Sequence, residues 1–123
     1  MANAFHKYLT GEDKLQHAVI LYLQMQYPKV LWAHIPNEGR RTPFERFKLK
    51  YLGAKSGVPD LMIFAPNEHY NGLAIELKYK KNKPTANQKK WLDDLSQNNW
   101  KAVWLNDYQQ CIDLIDKYFA NEK

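Results

Sequence analysis

Two short apolar runs, Leu61 to Ala65 and Leu73 to Leu77, stand on either side of Pro66-Asn67-Glu68-His69-Tyr70-Asn71-Gly72. Apolar runs of this length bounded by turn residues read as strands. The simplest way to join them is an antiparallel hairpin. Such a hairpin constrains the whole chain, because side chains alternate across a strand and the register decides which residues meet. The midpoint between Asp60 and Glu76 is residue 68, inside the loop. A regular register therefore sets Asp60 opposite, or nearly opposite, Glu76, with Cβ atoms roughly 5 Å apart. Lys78, two positions beyond Glu76, points to the same face.

Helical and strand patterns alternate around this hairpin, which predicts an α/β domain. With 123 residues, the chain fits one domain spanning 1–123 with a modest core. Thr10 and Asp13 make a capping-box pattern at the start of a helix over about Gly11 to Gln26, with Leu15, Val19, Tyr22 and Leu23 as its apolar stripe. Val30 to Ile35 reads as a strand, followed by a turn at Pro36-Asn37-Glu38-Gly39. Thr42, Pro43 and Glu45 start a second helix that Gly53 stops, and within it Phe44, Phe47 and Tyr51 share a face. Thr85 and Gln88 cap a third helix to about Gln97, Lys101 to Leu105 is a strand, and a last helix begins after Asp107 and runs to about Phe119. Strand, helix, strand from Leu73 to Leu105 would form a parallel crossover.

Charge narrows the partner. Of 18 basic residues, 12 lie in two segments. Arg40, Arg41, Arg46, Lys48, Lys50 and Lys55 share one with a single acid, Glu45; Lys78, Lys80, Lys81, Lys83, Lys89 and Lys90 share the other with none. Such clustering points to a polyanion, nucleic acid being the commonest. Arg40, Arg41, Lys48, Lys50 and Lys55 are the candidates for phosphate contacts, which give affinity and salt dependence rather than sequence readout. Cys111 is the only cysteine, so neither an intramolecular disulfide nor a Cys-rich zinc site is available, and a cytoplasmic setting fits. No apolar run is long enough to span a membrane.

Two carboxylates held this close repel unless one takes a proton. A divalent cation removes the conflict, and hard oxygen donors suit Mg²⁺ or Mn²⁺. With Lys78 on the same face, the set fits phosphodiester hydrolysis: the acids position a metal and the ammonium stabilises charge at phosphorus. Taken singly, Asp60 could cap a loop, and Glu76 with Lys78 could be a solvated ion pair.

Asp60 followed by Glu76-x-Lys78 resembles the PD-(D/E)xK nuclease signature. His34-Ile35-Pro36-Asn37-Glu38-Gly39-Arg40-Arg41, Gly57-Val58-Pro59-Asp60-Leu61, Ala74-Ile75-Glu76-Leu77-Lys78 and Thr85-x-Asn87-Gln88 resemble the VRR-NUC branch, over about residues 9 to 107. The closest likeness is to its short stand-alone members in phages and bacteria. The resemblance implies a restriction-endonuclease-like core with a mixed central sheet of about four strands flanked by helices. It implies Asp60, Glu76 and the carbonyl of Leu77 as metal ligands, Lys78 as the catalytic lysine, Glu12 as a helical acid reaching the metal through water, and Gln88 as a glutamine near the site. It further implies a homodimer, with activity like that of Holliday-junction resolvases in some members.

Asp13 adjoins Glu12, and helix phase alone does not choose between them. Gln16 shares the face of Glu12. His34, at a strand end, can face the site; His17 and His69 have no metal-ligand spacing with it. Trp32, Trp91, Trp100 and Trp104 are expected in the core or at an interface. The short loops offer little for base reading, which favours recognition of DNA structure such as junctions, flaps or nicks. The competing function is a nuclease-like module that binds branched DNA without cutting it.

Overall fold

The structure, a computed structural model, describes residues 4–36 and 41–123. A 3₁₀ turn at His6–Tyr8 leads into α1 (Gly11–Gln26), followed by β1 (Trp32–His34), α2 (Pro43–Tyr51), β2 (Leu61–Ile63), β3 (Leu73–Leu77), α3 (Ala86–Gln97), β4 (Lys101–Leu105) and α4 (Tyr108–Phe119). The strands form one mixed sheet in the order β1-β2-β3-β4. β1 and β2, and β2 and β3, pair antiparallel; β3 and β4 pair parallel, joined by α3.

The three capping boxes form as their sequences require. In each, the threonine hydroxyl accepts from the backbone N–H three residues on, and the side chain at that position accepts from the threonine N–H: Thr10 with Asp13, Thr42 with Glu45, Thr85 with Gln88. Two strands are shorter than their apolar runs. The Val30 N–H closes a turn on the Tyr27 carbonyl, so β1 begins at Trp32 rather than Val30. β2 ends at Ile63 rather than Ala65; the Ala65 carbonyl instead accepts from the Tyr118 hydroxyl of α4 at 2.6 Å.

Alternation along β3 sorts its residues between two sides. Leu73, Ile75 and Leu77 join Val19 and Leu23 of α1 and Cys111, Ile115 and Tyr118 of α4 in the main core. Burial pushes the Cys111 thiol up to about 12. α1 and α4 are also joined through Asp116, whose carboxylate accepts from the Tyr22 and Tyr27 hydroxyls at 2.7 Å. Trp32 packs against this core, but none of the four tryptophans lies within it, and Trp104 is exposed. Among the described residues, no helix is long and apolar enough to cross a membrane.

Candidate active site

The hairpin register is the one the spacing predicts. Leu61 pairs with Ile75 and Met62 with Ala74, so one step outward brings Asp60 opposite Glu76. The Asp60 carboxylate also accepts the Leu77 N–H through Oδ2 at 2.8 Å. Asp60 thus sits just beyond β2, held by the backbone of the neighbouring strand.

Glu76 is 2% exposed, and it is the one charged residue in the interior among the described residues. Its Oε2 accepts from the Gln88 amide at 3.1 Å and lies 3.3 Å from Lys78 Nζ. Its Oε1 is buried with no hydrogen-bond partner. Burial, then the negative charge of Asp60, drives the Glu76 carboxyl up to about 8, against the opposing pull of Lys78. A buried, unpartnered carboxylate oxygen beside a second carboxylate is costly unless a cation meets it. The donors therefore fit a hard divalent ion. Among the described residues, no group of three or more His, Cys, Asp or Glu side chains is placed to hold a metal. Such an ion would draw on the two carboxylates and on backbone or solvent oxygen.

Gln88 serves the helix and the site at once. Its Oε1 accepts the Thr85 N–H at 2.8 Å, completing the cap, while its Nε2 donates to Glu76. The two ends of one amide thus reach the cap and Glu76 together.

These residues line an open cleft of about 290 Å³ to which Glu12, Asp13, Gln16, His34 and Pro36 also contribute. Asp13 is engaged in the cap with Thr10, both bonds near 3 Å. Glu12 is not, and its carboxyl is raised by burial and then by Asp60, with Lys78 opposing. Glu12, rather than Asp13, is thus the acid of α1 available to this site. The Tyr79 ring packs directly on Gly11, where a Cβ would collide with it. That contact sets the first turn of α1 beside the end of β3.

His34 faces the cleft from the end of β1. Its Nδ1 lies 2.8 Å from the Asp60 carbonyl; a carbonyl only accepts, so Nδ1 carries the hydrogen. The signal was its place at a strand end just before Ile35-Pro36, but the partner is a backbone oxygen 26 residues away. Pro36, read from the sequence as the start of a turn, lines the cleft as well.

A second brace holds the approach to Asp60. The Ser56 hydroxyl accepts from Asn87 and its carbonyl accepts from the Trp91 indole, each at 3.0 Å. Gly57 has φ +87°, and a Cβ there would stand 2.8 Å from the Asn87 carbonyl carbon. Gly57→Ala is expected to cost about 2 kcal/mol or more, from the left-handed backbone and the clash together. A urea unfolding midpoint equal to that of the wild type would refute this account of the brace.

Of the residues expected to touch phosphate, Lys48, Lys50 and Lys55 are exposed, Arg41 is half-buried, and Arg40 lies outside the described residues. The Arg41 carbonyl accepts from the Arg46 guanidinium at 2.9 Å. Leu77 ends β3 with its side chain in the core.

An acid–acid–lysine set at the ends of the two central strands of a mixed sheet, in a polar cleft, defines a nuclease-type α/β domain. The VRR-NUC domain profile matches residues 10–106, and the chain belongs to that family. A solved structure described as a VRR_NUC domain protein superposes with a TM-score of 0.77 and 29% identity, covering 94% of this chain and 94% of its own. A second, described as a VRR_NUC domain, gives a TM-score of 0.61 at 20% identity over 89% of this chain and 99% of its own; at that identity the likeness is one of fold. No curated protein matches the chain. The family makes it a nuclease-type domain that processes DNA.

Proposed function

We propose that the protein is a divalent-metal-dependent DNA endonuclease, selective for branched DNA such as a junction or flap, acting as a homodimer in the cytoplasm. The observation that carries this reading is Glu76: buried, beside Asp60, with one oxygen on Lys78 and Gln88 and the other unpartnered. Asp60, Glu76 and the Leu77 carbonyl would hold Mg²⁺ or Mn²⁺. When bound, such an ion polarises a phosphoryl oxygen and lowers the pKa of its water.

The remaining residues have roles of their own. Lys78 supplies a fixed positive charge toward the scissile phosphate and, with its side chain only 11% exposed, does so in a setting that water screens weakly. Gln88 orients Glu76. Glu12 lines the same cleft and would reach the ion through water. Arg41, Lys48, Lys50 and Lys55, with Arg40, hold the backbone of the substrate.

The test is a panel of junction, flap, nicked and linear DNA incubated with Mg²⁺, Mn²⁺ or EDTA, with sedimentation velocity on the same samples. The expected result is metal-dependent cleavage of branched DNA well above linear DNA. Tight binding of branched DNA with no cleavage in either metal would favour the non-cleaving module instead.

A further inference from the structure

Helix α2 differs from α1, α3 and α4 in having no buried residue. Within it only Leu49 is half-buried. Phe44, Phe47 and Tyr51 are 68%, 59% and 77% exposed. At roughly 100° per residue, the three aromatics fall on one side of the helix and Leu49 on the opposite side. The helix is exposed nearly all round, and its aromatic stripe lies on the side away from Leu49. The Phe47 and Tyr51 rings stack on each other, centroids 5.6 Å apart and planes 26° from parallel. The same geometry sets Lys48 on one flank of the stripe and Lys50 on the other.

The chain that leads to α2 leaves β1 at the cleft. Where it leaves β1, the Ile35 N–H donates to the Asp60 carbonyl at 2.9 Å, and His34 Nδ1 meets the same oxygen.

A contiguous exposed aromatic face calls for an occupant. A second copy of α2 suits it poorly. Two-fold apposition would bring Lys48 and Lys50 of one copy toward those of the other, and the only acid of the helix, Glu45, is spent on the Thr42 cap. Unpaired DNA suits it well. Its bases have free faces to stack on the rings, and its phosphates meet the flanking ammonium groups. A flush duplex offers the phosphates but keeps its bases stacked within.

We infer that α2 is a stacking arm for single-stranded DNA, so that the preferred substrate carries unpaired bases. This rests on the DNA-cleaving assignment above and narrows its substrate.

Fluorescence anisotropy in EDTA compares a labelled flush duplex with the same duplex bearing a single-stranded tail, with 2-aminopurine in the tail as a stacking probe. The wild type is expected to prefer the tailed DNA and to quench the probe. The double variant Phe47→Ala, Tyr51→Ala is expected to lose about fivefold or more of that preference and the quenching, with its sedimentation coefficient unchanged. Equal binding of both DNAs by the wild type, a preference retained in the variant, or a variant that changes oligomeric state would each overturn the inference. Because the titrations contain no metal ion, they are independent of cleavage. A protein that stacks tailed DNA but never cuts fails the nuclease assignment alone; one that cuts without a tail preference fails this inference alone.

Discussion

Asp60→Asn is expected to lower metal-dependent cleavage by about a hundredfold to a thousandfold, the scale of losing one well-placed electrostatic group in an active site. The substitution is chosen for what it keeps. Asparagine retains an acceptor oxygen for the Leu77 N–H, which Asp60 accepts at 2.8 Å, so the end of β2 stays fastened to β3. What disappears is the negative charge opposite Glu76. Without it, the carboxylate paired with Glu76 for a cation is gone, and Glu76 keeps only Lys78 and Gln88 as partners. Binding of DNA, measured in EDTA, should change far less than cleavage, because the exposed cations Lys48, Lys50 and Lys55 are untouched. Circular dichroism and thermal unfolding of the variant establish that the fold persists. If the asparagine variant cleaves at the wild-type rate, Asp60 is not a metal-holding residue and the proposed chemistry fails.

The trio at the centre of this prediction was legible in the sequence for a definite reason. A hairpin has one number, its register, and the spacing of Asp60 and Glu76 about residue 68 supplies it; the observed pairing of Leu61 with Ile75 is that register. Helix starts were legible because Thr10, Thr42 and Thr85 satisfy local N–H groups through residues three positions away. What was not legible depends on partners distant in sequence. β1 is shorter than its apolar run because a local turn from Tyr27 to Val30 takes up the first residues. Spacing says that Phe44, Phe47 and Tyr51 share a side of α2, but it does not say that this side stays uncovered, as the structure has it. His34 bonds a backbone carbonyl, which leaves no trace in residue type at position 60. Trp91, expected as bulk for a core or interface, spends its indole N–H on the Ser56 carbonyl.

Glu76→Gln should separate the stability of the fold from its chemistry. In the metal-free wild type, the Glu76 carboxyl titrates near 8 because burial and Asp60 disfavour its charge; the ordinary value is 4.5. A raised folded-state pKa means that the native state binds the proton more tightly than the unfolded chain does. The stabilisation is therefore complete below about pH 4.5 and is lost as pH rises toward 8. Glutamine at 76 cannot ionise, yet its amide oxygen can still accept from Gln88 or Lys78 and its nitrogen can donate to Asp60. In EDTA, the melting temperature of the variant relative to the wild type should thus climb between pH 5 and pH 8. At the alkaline end the difference should reach several degrees, for a free energy on the order of 2 kcal/mol. Cleavage should fall with Asp60→Asn, since the paired charge is gone. A difference in melting temperature that stays flat across this range would mean that Glu76 carries no strained charge in the folded protein. A wild type that gains stability on alkalisation while the variant does not would reverse the sign and exclude the repulsive pair. The residue most unfavourable to the metal-free fold is then the one the chemistry requires, a trade of stability for function at a single buried oxygen.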